Sequence, residues 1–174
     1  MGLFDAFKKK AAPVKPEAIQ VTIQAGALAA PIAGRVIPMT EVPDPIFSSE
    51  ALGRGCAVWP EGDTVYAPVA GTVSVAMGHA VGIVSPDGVE VLVHIGVDTV
   101  NMQGKGFTGY AAQGAEVAAG DPLITMDRSA IAAAGHPDCV VMAVSNTADF
   151  AAVELAVEPG STVAAGDALV TVAR

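Results

Sequence analysis

At 174 residues the chain is long enough for one domain with a substantial core, and its formal net charge of −9 argues against nucleic acid and against a generally basic membrane-binding surface. Hydrophobic residues make up 52%, largely Ala and Val, while 19 glycines and 12 prolines punctuate short Val-rich runs, the composition of many short strands and tight turns. No apolar run is long enough to span a bilayer, no secretory signal opens the chain, and Cys56 and Cys139 make neither a CxxC motif nor a disulfide framework; a soluble cytoplasmic protein with reduced thiols is expected.

Residues 1–25 read as a flexible segment. Leu3, Phe4 and Phe7 fall at helical spacing before Lys8, Lys9 and Lys10, which suits a short amphipathic helix making weak peripheral contact with an anionic membrane, or equally a disordered tail. Ala11 to Ala25, with Pro13 and Pro16, reads as a linker. The folded domain is expected over 26–174, and it carries internal echoes. Ala30-Pro31-Ile32-Ala33-Gly34-Arg35-Val36 returns as Ala67-Pro68-Val69-Ala70-Gly71-Thr72-Val73. Gly114 to Thr125 returns as Gly160 to Thr171, each with a Val-Ala-Ala-Gly-Asp turn between apolar runs. An all-β fold follows, an antiparallel sandwich or barrel with internal duplication and few short helices. Asp127 to Gly135 is the best helix, with Asp127 as N-cap and Gly135 as C-cap.

Between the echoes lies a predicted hairpin, His79 to Val84 and Val89 to His94 around Ser85-Pro86-Asp87-Gly88, a type I turn sequence. If Ser85 opposes Gly88, His79 faces His94 directly across the ladder; one bulged residue in the turn would put them on opposite faces. Val89, Val91, Val93 and Ile95 point to the core, and Glu90, Leu92 and His94 away from it. A lone strand histidine is more often structural than reactive. Two imidazoles held together repel when both are protonated, which favours the neutral, nucleophilic form, and such a pair suits a phosphoryl group or a metal.

The segment Gly88-Val89-Glu90-Val91-Leu92-Val93-His94-Ile95-Gly96-Val97-Asp98-Thr99-Val100 resembles the phosphorylation-site signature of the glucose-type enzyme IIA domains of the bacterial phosphoenolpyruvate-dependent sugar phosphotransferase system. Val42-Pro43-Asp44-Pro45-Ile46-Phe47, Gly53 to Pro60, Tyr66 to Val73 and Gly104-Lys105-Gly106-Phe107 are similar to further family segments in the same order. Met1-Gly2-Leu3-Phe4-Asp5 looks like the start of stand-alone members. The resemblance implies a barrel-sandwich hybrid that accepts a phosphoryl group on His94 from the histidine phosphocarrier protein. It then passes the group to a cysteine of enzyme IIB, serving an enzyme IIC sugar permease. His79 matches the histidine that steadies the phosphoryl group, Asp44 and Asp98 the acidic pair at the rim, and Thr99 the signature threonine. Phe47 and Leu92 match apolar residues that dock partners. No tightly bound cofactor is implied; zinc on His79 and His94 arises only where a partner adds a carboxylate. In the family the unphosphorylated form can bind and inhibit other permeases and enzymes, and nothing in this sequence assigns such a target. One departure stands out: Met77 replaces the threonine that usually orients the second histidine, and a thioether is a poor hydrogen-bond partner.

Two rival readings fit the residues less well. His94-x-x-x-Asp98 has the spacing of LytM-like zinc peptidases, but those need a downstream His-x-His, and His136 has no such companion. The Gly-Asp echoes also look like lipoyl or biotinyl carriers, but Lys105 lacks their hairpin-tip setting. His136 reads as a loop residue, and Cys56 and Cys139 as buried small hydrophobes.

Overall fold

The computed structural model describes residues 14–174; the expected helix over Leu3–Phe7 lies outside them. The Val-rich runs form β1 (Ala27–Ala29), β2 (Gly34–Pro38), β3 (Arg54–Pro60), β4 (Thr64–Tyr66), β5 (Gly71–Ala76), β6 (Ala80–Val84), β7 (Glu90–Ile95), β8 (Phe107–Gly109), β9 (Glu116–Val117), β10 (Pro122–Met126), β11 (Val140–Val144), β12 (Ala152–Leu155), β13 (Thr162–Val163) and β14 (Ala168–Ala173). Every pairing is antiparallel. The helices are α1 (Pro45–Ser48) and α2 (Arg128–Ala133). Asp127 caps α2 through Ala130 N–H, as expected, and Gly135 follows its end in the left-handed conformation. No helix among the described residues is long and apolar enough to cross a membrane.

The echoes in the sequence are a structural two-fold. The large sheet runs β13-β2-β3-β11-β7-β6-β5-β9 and the two small sheets run β1-β14-β12 and β4-β10-β8, so each small sheet copies the other and the large one reads alike from both ends. Matched positions make matched bonds: Ala30 N donates to Asp167 O at 2.7 Å and Ala67 N to Asp121 O at 2.8 Å. Gly166 N donates to Ala30 O and Gly120 N to Ala67 O, both at 2.9 Å. In each Gly-Asp turn the aspartate carboxylate accepts the N–H three residues earlier, at Ala118 and Ala164, both at 2.8 Å. One unit is the unbroken run β4 to β10. The other is β1 to β3 completed by β11 to β14, and the axis passes where β7 meets β11, at the pair Val93 and Met142.

The middle of the large sheet is buried on both faces. One carries the main core, with Val91, Val93 and Ile95 of β7 among Val36, Val58, Val81 and Met142. The other is covered by the excursion between β2 and β3, which lays Met39, Val42 and Phe47 on Ala57, Val97, Cys139, Val141 and Ala143. His94 lies on this second face. The two-fold partner of His94 on β11 is Ala143, which packs beneath that excursion, so the frame offers two equivalent seats and one histidine. At the opposite end of the strands, Ile19 N donates to Gly120 O at 3.0 Å and the chain over Ile19–Val21 crosses Gly166, so the second half of the expected linker lies on both Gly-Asp turns.

Candidate active site

His94 sits one residue from the end of β7, opposite Val141 on one side and Ala80 on the other. Its Nδ1 lies 2.8 Å from the carbonyl oxygen of Gly96. A carbonyl only accepts, so Nδ1 carries the proton and Nε2 keeps the free lone pair. Gly96 is held in turn. Its N–H donates to Cys139 O at 2.8 Å, Val97 N donates to Pro137 O at 3.1 Å, and the buried Thr99 hydroxyl donates to Ile95 O. The backbone at Gly96 has φ +74°, where a side chain would strike Thr99 and the Pro137 carbonyl.

The hairpin register differs from expectation. Gly88 N donates to Ser85 O at 3.0 Å, closing the type I turn, but Ser85 N donates to Val89 O at 2.9 Å, so Ser85 opposes Val89. Gly88, at φ +86°, is the extra residue of a bulge, which type I turns in hairpins commonly require to match strand twist. His94 therefore opposes Ala80, and direct pairing of His79 with His94 is overturned. The rings meet all the same, with centroids 4.8 Å apart and planes at 80°. His79 lies just before β6, in the turn between β5 and β6 closed by Met77 N donating to Ala80 O at 2.8 Å. Ile95 N donates to His79 O at 2.8 Å, so the ladder reaches His79, but the His79 side chain leaves the core face from the bend that precedes β6. Gly78 packs so closely on Gly104 that a Cβ would sit 2.9 Å from its Cα, and Phe107 lies 6.5 Å from the His79 ring.

A third ring completes the arrangement: Phe47 of α1 lies 5.0 Å from His94, edge-on at 61°. Flanked by Phe47 and His79, His94 titrates well below the usual 6.5, pushed down to about 4, first by burial and then by the His79 charge. The Gly96 bond, Asp44 and Asp98 act in the opposite direction. Burial also lowers His79. Both rings are thus neutral near pH 7. Asp98 is exposed in a left-handed conformation, at φ +57°, and Asp44 spends its carboxylate on the N–H groups of Ile46 and Phe47.

Phe47 is buried and Leu92 half-buried, so neither offers a broad free surface. Exposed apolar side chains flank these residues in the chain: Ile46, Met77 and Val100 are each more than half exposed and lie within three residues of Phe47, His79 or Asp98, and of the three the sequence singled out only Met77. Their signal was adjacency to a site residue in a loop. Lys105 is exposed on the loop that backs onto Gly78. Cys56 and Cys139 are buried free thiols, each pushed up to about 12, chiefly by burial. Among the described residues no three His, Cys, Asp or Glu side chains converge as a metal site, so His94, Asp98 and His136 do not form the ligand set of a zinc peptidase.

Residues 26–150 match the family model of the phosphoenolpyruvate-dependent sugar phosphotransferase system, EIIA 1. The chain belongs to this family. The EIIA chain is similar to the glucose-specific EIIA component of Oceanobacillus iheyensis, 39% identical over 120 residues that cover 68% of this chain and 73% of that protein. It is 45% identical over 129 residues to the mannose-specific EIIBCA component of Corynebacterium glutamicum, covering 73% of this chain and 19% of that protein. The chain thus spans about a fifth of the length of such multidomain relatives. The solved glucose permease IIA from Mycoplasma capricolum matches with a TM-score of 0.71 at 33% identity, over 83% of this chain and 93% of that one. The fold and the glucose-type EIIA resemblance carried by the hairpin signature agree with these matches.

Proposed function

We propose that this EIIA domain, residues 26–174, is a phosphoryl relay with His94 as the acceptor. The observation that carries this reading is the Nδ1 bond of His94 to Gly96, which leaves Nε2 unprotonated and oriented on a ring that stays neutral down to about pH 4. Nε2 attacks the phosphorus of a phosphohistidine on the histidine phosphocarrier protein; the new N–P bond forms as the donor's N–P bond breaks, and the donor imidazole leaves with its electron pair. His79, in ring contact, donates a hydrogen bond to a phosphoryl oxygen as charge gathers there. In the second step a thiolate of enzyme IIB attacks the phosphorus and His94 leaves neutral, its charge relieved by the same Gly96 bond. Fusion of related EIIA segments to EIIB and EIIC supports those partners. Exposed Ile46, Met77 and Val100 suit docking by proteins rather than capture of a small substrate. A cytoplasmic location follows from those partners, and the sugar is selected by the membrane component.

The two imidazoles would make up three protein ligands for a zinc ion if a partner added a carboxylate. Bound there, zinc would occupy Nε2 and keep it from attacking phosphorus.

The test is intact mass after incubation with phosphoenolpyruvate, enzyme I and the phosphocarrier protein. One acid-labile phosphoryl group mapped to His94 is expected, absent in His94→Ala. His79→Gln is expected to accept the group but pass it on at least tenfold more slowly. Normal acceptance by His94→Ala would overturn the assignment.

A further inference from the structure

We propose that Asp44 is a positioning residue that acts through Phe47: by capping α1 it holds the Phe47 ring against the phosphoacceptor. Its consequence for transfer rests on the relay reading; the geometry does not. Asp44 precedes α1 with extended backbone, and its Oδ1 accepts from Ile46 N at 2.8 Å and Phe47 N at 3.1 Å. A four-residue helix has too few internal bonds to form alone, so the cap and Pro45, which presets φ, decide whether this turn exists. The backbone amide of Phe47 is one of the two that the carboxylate grips, and the ring of the same residue closes one side of His94. Phe47 is 5% exposed and seated among Met39, Val42, Val97 and Cys139, so a shift of the helical turn is passed to the ring rather than absorbed by a loose side chain.

A purely electrostatic role accounts poorly for Asp44. A carboxylate near His94 favours the protonated ring, which cannot attack phosphorus, and Asp98 already supplies such a field from an exposed loop. The burial that opposes protonation depends on Phe47, and Phe47 depends on the cap. Charge and cap therefore act on His94 in opposite directions, which makes them separable. The titratable groups acting on His94 are His79 from the β5–β6 turn, Asp98 from the loop after β7, and Asp44 itself.

The experiment compares Asp44→Asn, which keeps a good cap without charge, with Asp44→Ala, which loses both, in the full chain. The His94 titration midpoint is read by NMR and the acceptance rate from phosphorylated histidine carrier is read by mass. Asp44→Ala is expected to accept about fivefold more slowly, with its midpoint moved up towards 6.5. Asp44→Asn is expected to recover most of the rate, with its midpoint moved down. In a Phe47→Ala background, Asp44→Ala is expected to add no further loss. Equal downward shifts and equal rates in both Asp44 variants would overturn the proposal. Should Asp44→Ala not fold, Phe47→Ala alone decides: an unmoved midpoint breaks the chain of action. If the midpoints behave as expected while the wild type never accepts a phosphoryl group, the positioning stands and the relay reading fails.

Discussion

Gly96→Ala tests whether the tautomer of His94 is set by its backbone. At φ +74° an alanine pays the left-handed strain of about 1–2 kcal/mol. Its Cβ would stand 2.5 Å from Thr99 Cγ2 and 2.7 Å from Pro137 O. Neither neighbour yields easily, since Thr99 is buried with its hydroxyl on Ile95 O and the Pro137 carbonyl is held by Val97 N at 3.1 Å. The Gly96 peptide must move, and the 2.8 Å bond to His94 Nδ1 weakens; such a bond is worth about 1 kcal/mol net. The expected cost in global stability is roughly 2–3 kcal/mol, measured by urea denaturation. Of this, about 1 kcal/mol falls on the tautomer, close to a fivefold loss of the reactive form, read as the nitrogen shifts of His94 and as the acceptance rate. A Gly96→Ala protein with native stability and Nδ1 still protonated would refute the account.

Three further outcomes are expected. The His94 midpoint is 6.5 when unfolded and about 4 when folded, so the unfolded chain binds a proton that the native state excludes. Stability is then complete above pH 6.5 and falls by up to roughly 3 kcal/mol on the way to pH 4, and His94→Ala, titrated by denaturation across that window, should have a shallower acid limb. Thr99→Val removes a buried hydroxyl that bonds Ile95 O and should lower stability by about 1–2 kcal/mol; an unchanged denaturation midpoint would count against the clamp around Gly96. Gly120→Ala, at φ +90°, drives a Cβ into the Ile19 carbonyl and should release the segment over Ile19–Val21, seen as faster amide exchange at Ile19 with exchange in β7 unchanged.

The duplication was legible because its two copies meet the same packing demands at the same spacing: Ala30 and Ala67 close on Gly-Asp turns that only a short sequence grammar permits. The buried face of β7 was legible for the same kind of reason, since Val89 to Ile95 alternate strictly. The register of the hairpin was not, because Ser-Pro-Asp-Gly serves equally a turn that ends at Gly88 and one that spends Gly88 as a bulge. The rings of His79 and His94 meet all the same, because His79 sits in the bend that opens β6 rather than in its regular alternation. The cap at Asp44 was also hidden. Asp-Pro-Ile-Phe is an N-cap pattern in hindsight, but a helix of one turn leaves no periodicity to announce it. What orients His94 is a carbonyl, and main-chain groups are invisible to any reading of side chains.

The split of one unit around the other has a consequence for assembly. As the chain emerges in order, β4 to β10 become available as one run and can settle against each other directly. β2 and β3 pair with each other, but β1 waits for β14, the outer edge of β3 waits for β11, and the joint between the units, β7 beside β11, needs both. His94 lies along that joint, with Val141 at its side and Cys139 O on its supporting glycine. The His94 ring is therefore set in place only by about the last fifth of the chain, so a truncated product retains the histidine signature but lacks the seat around it.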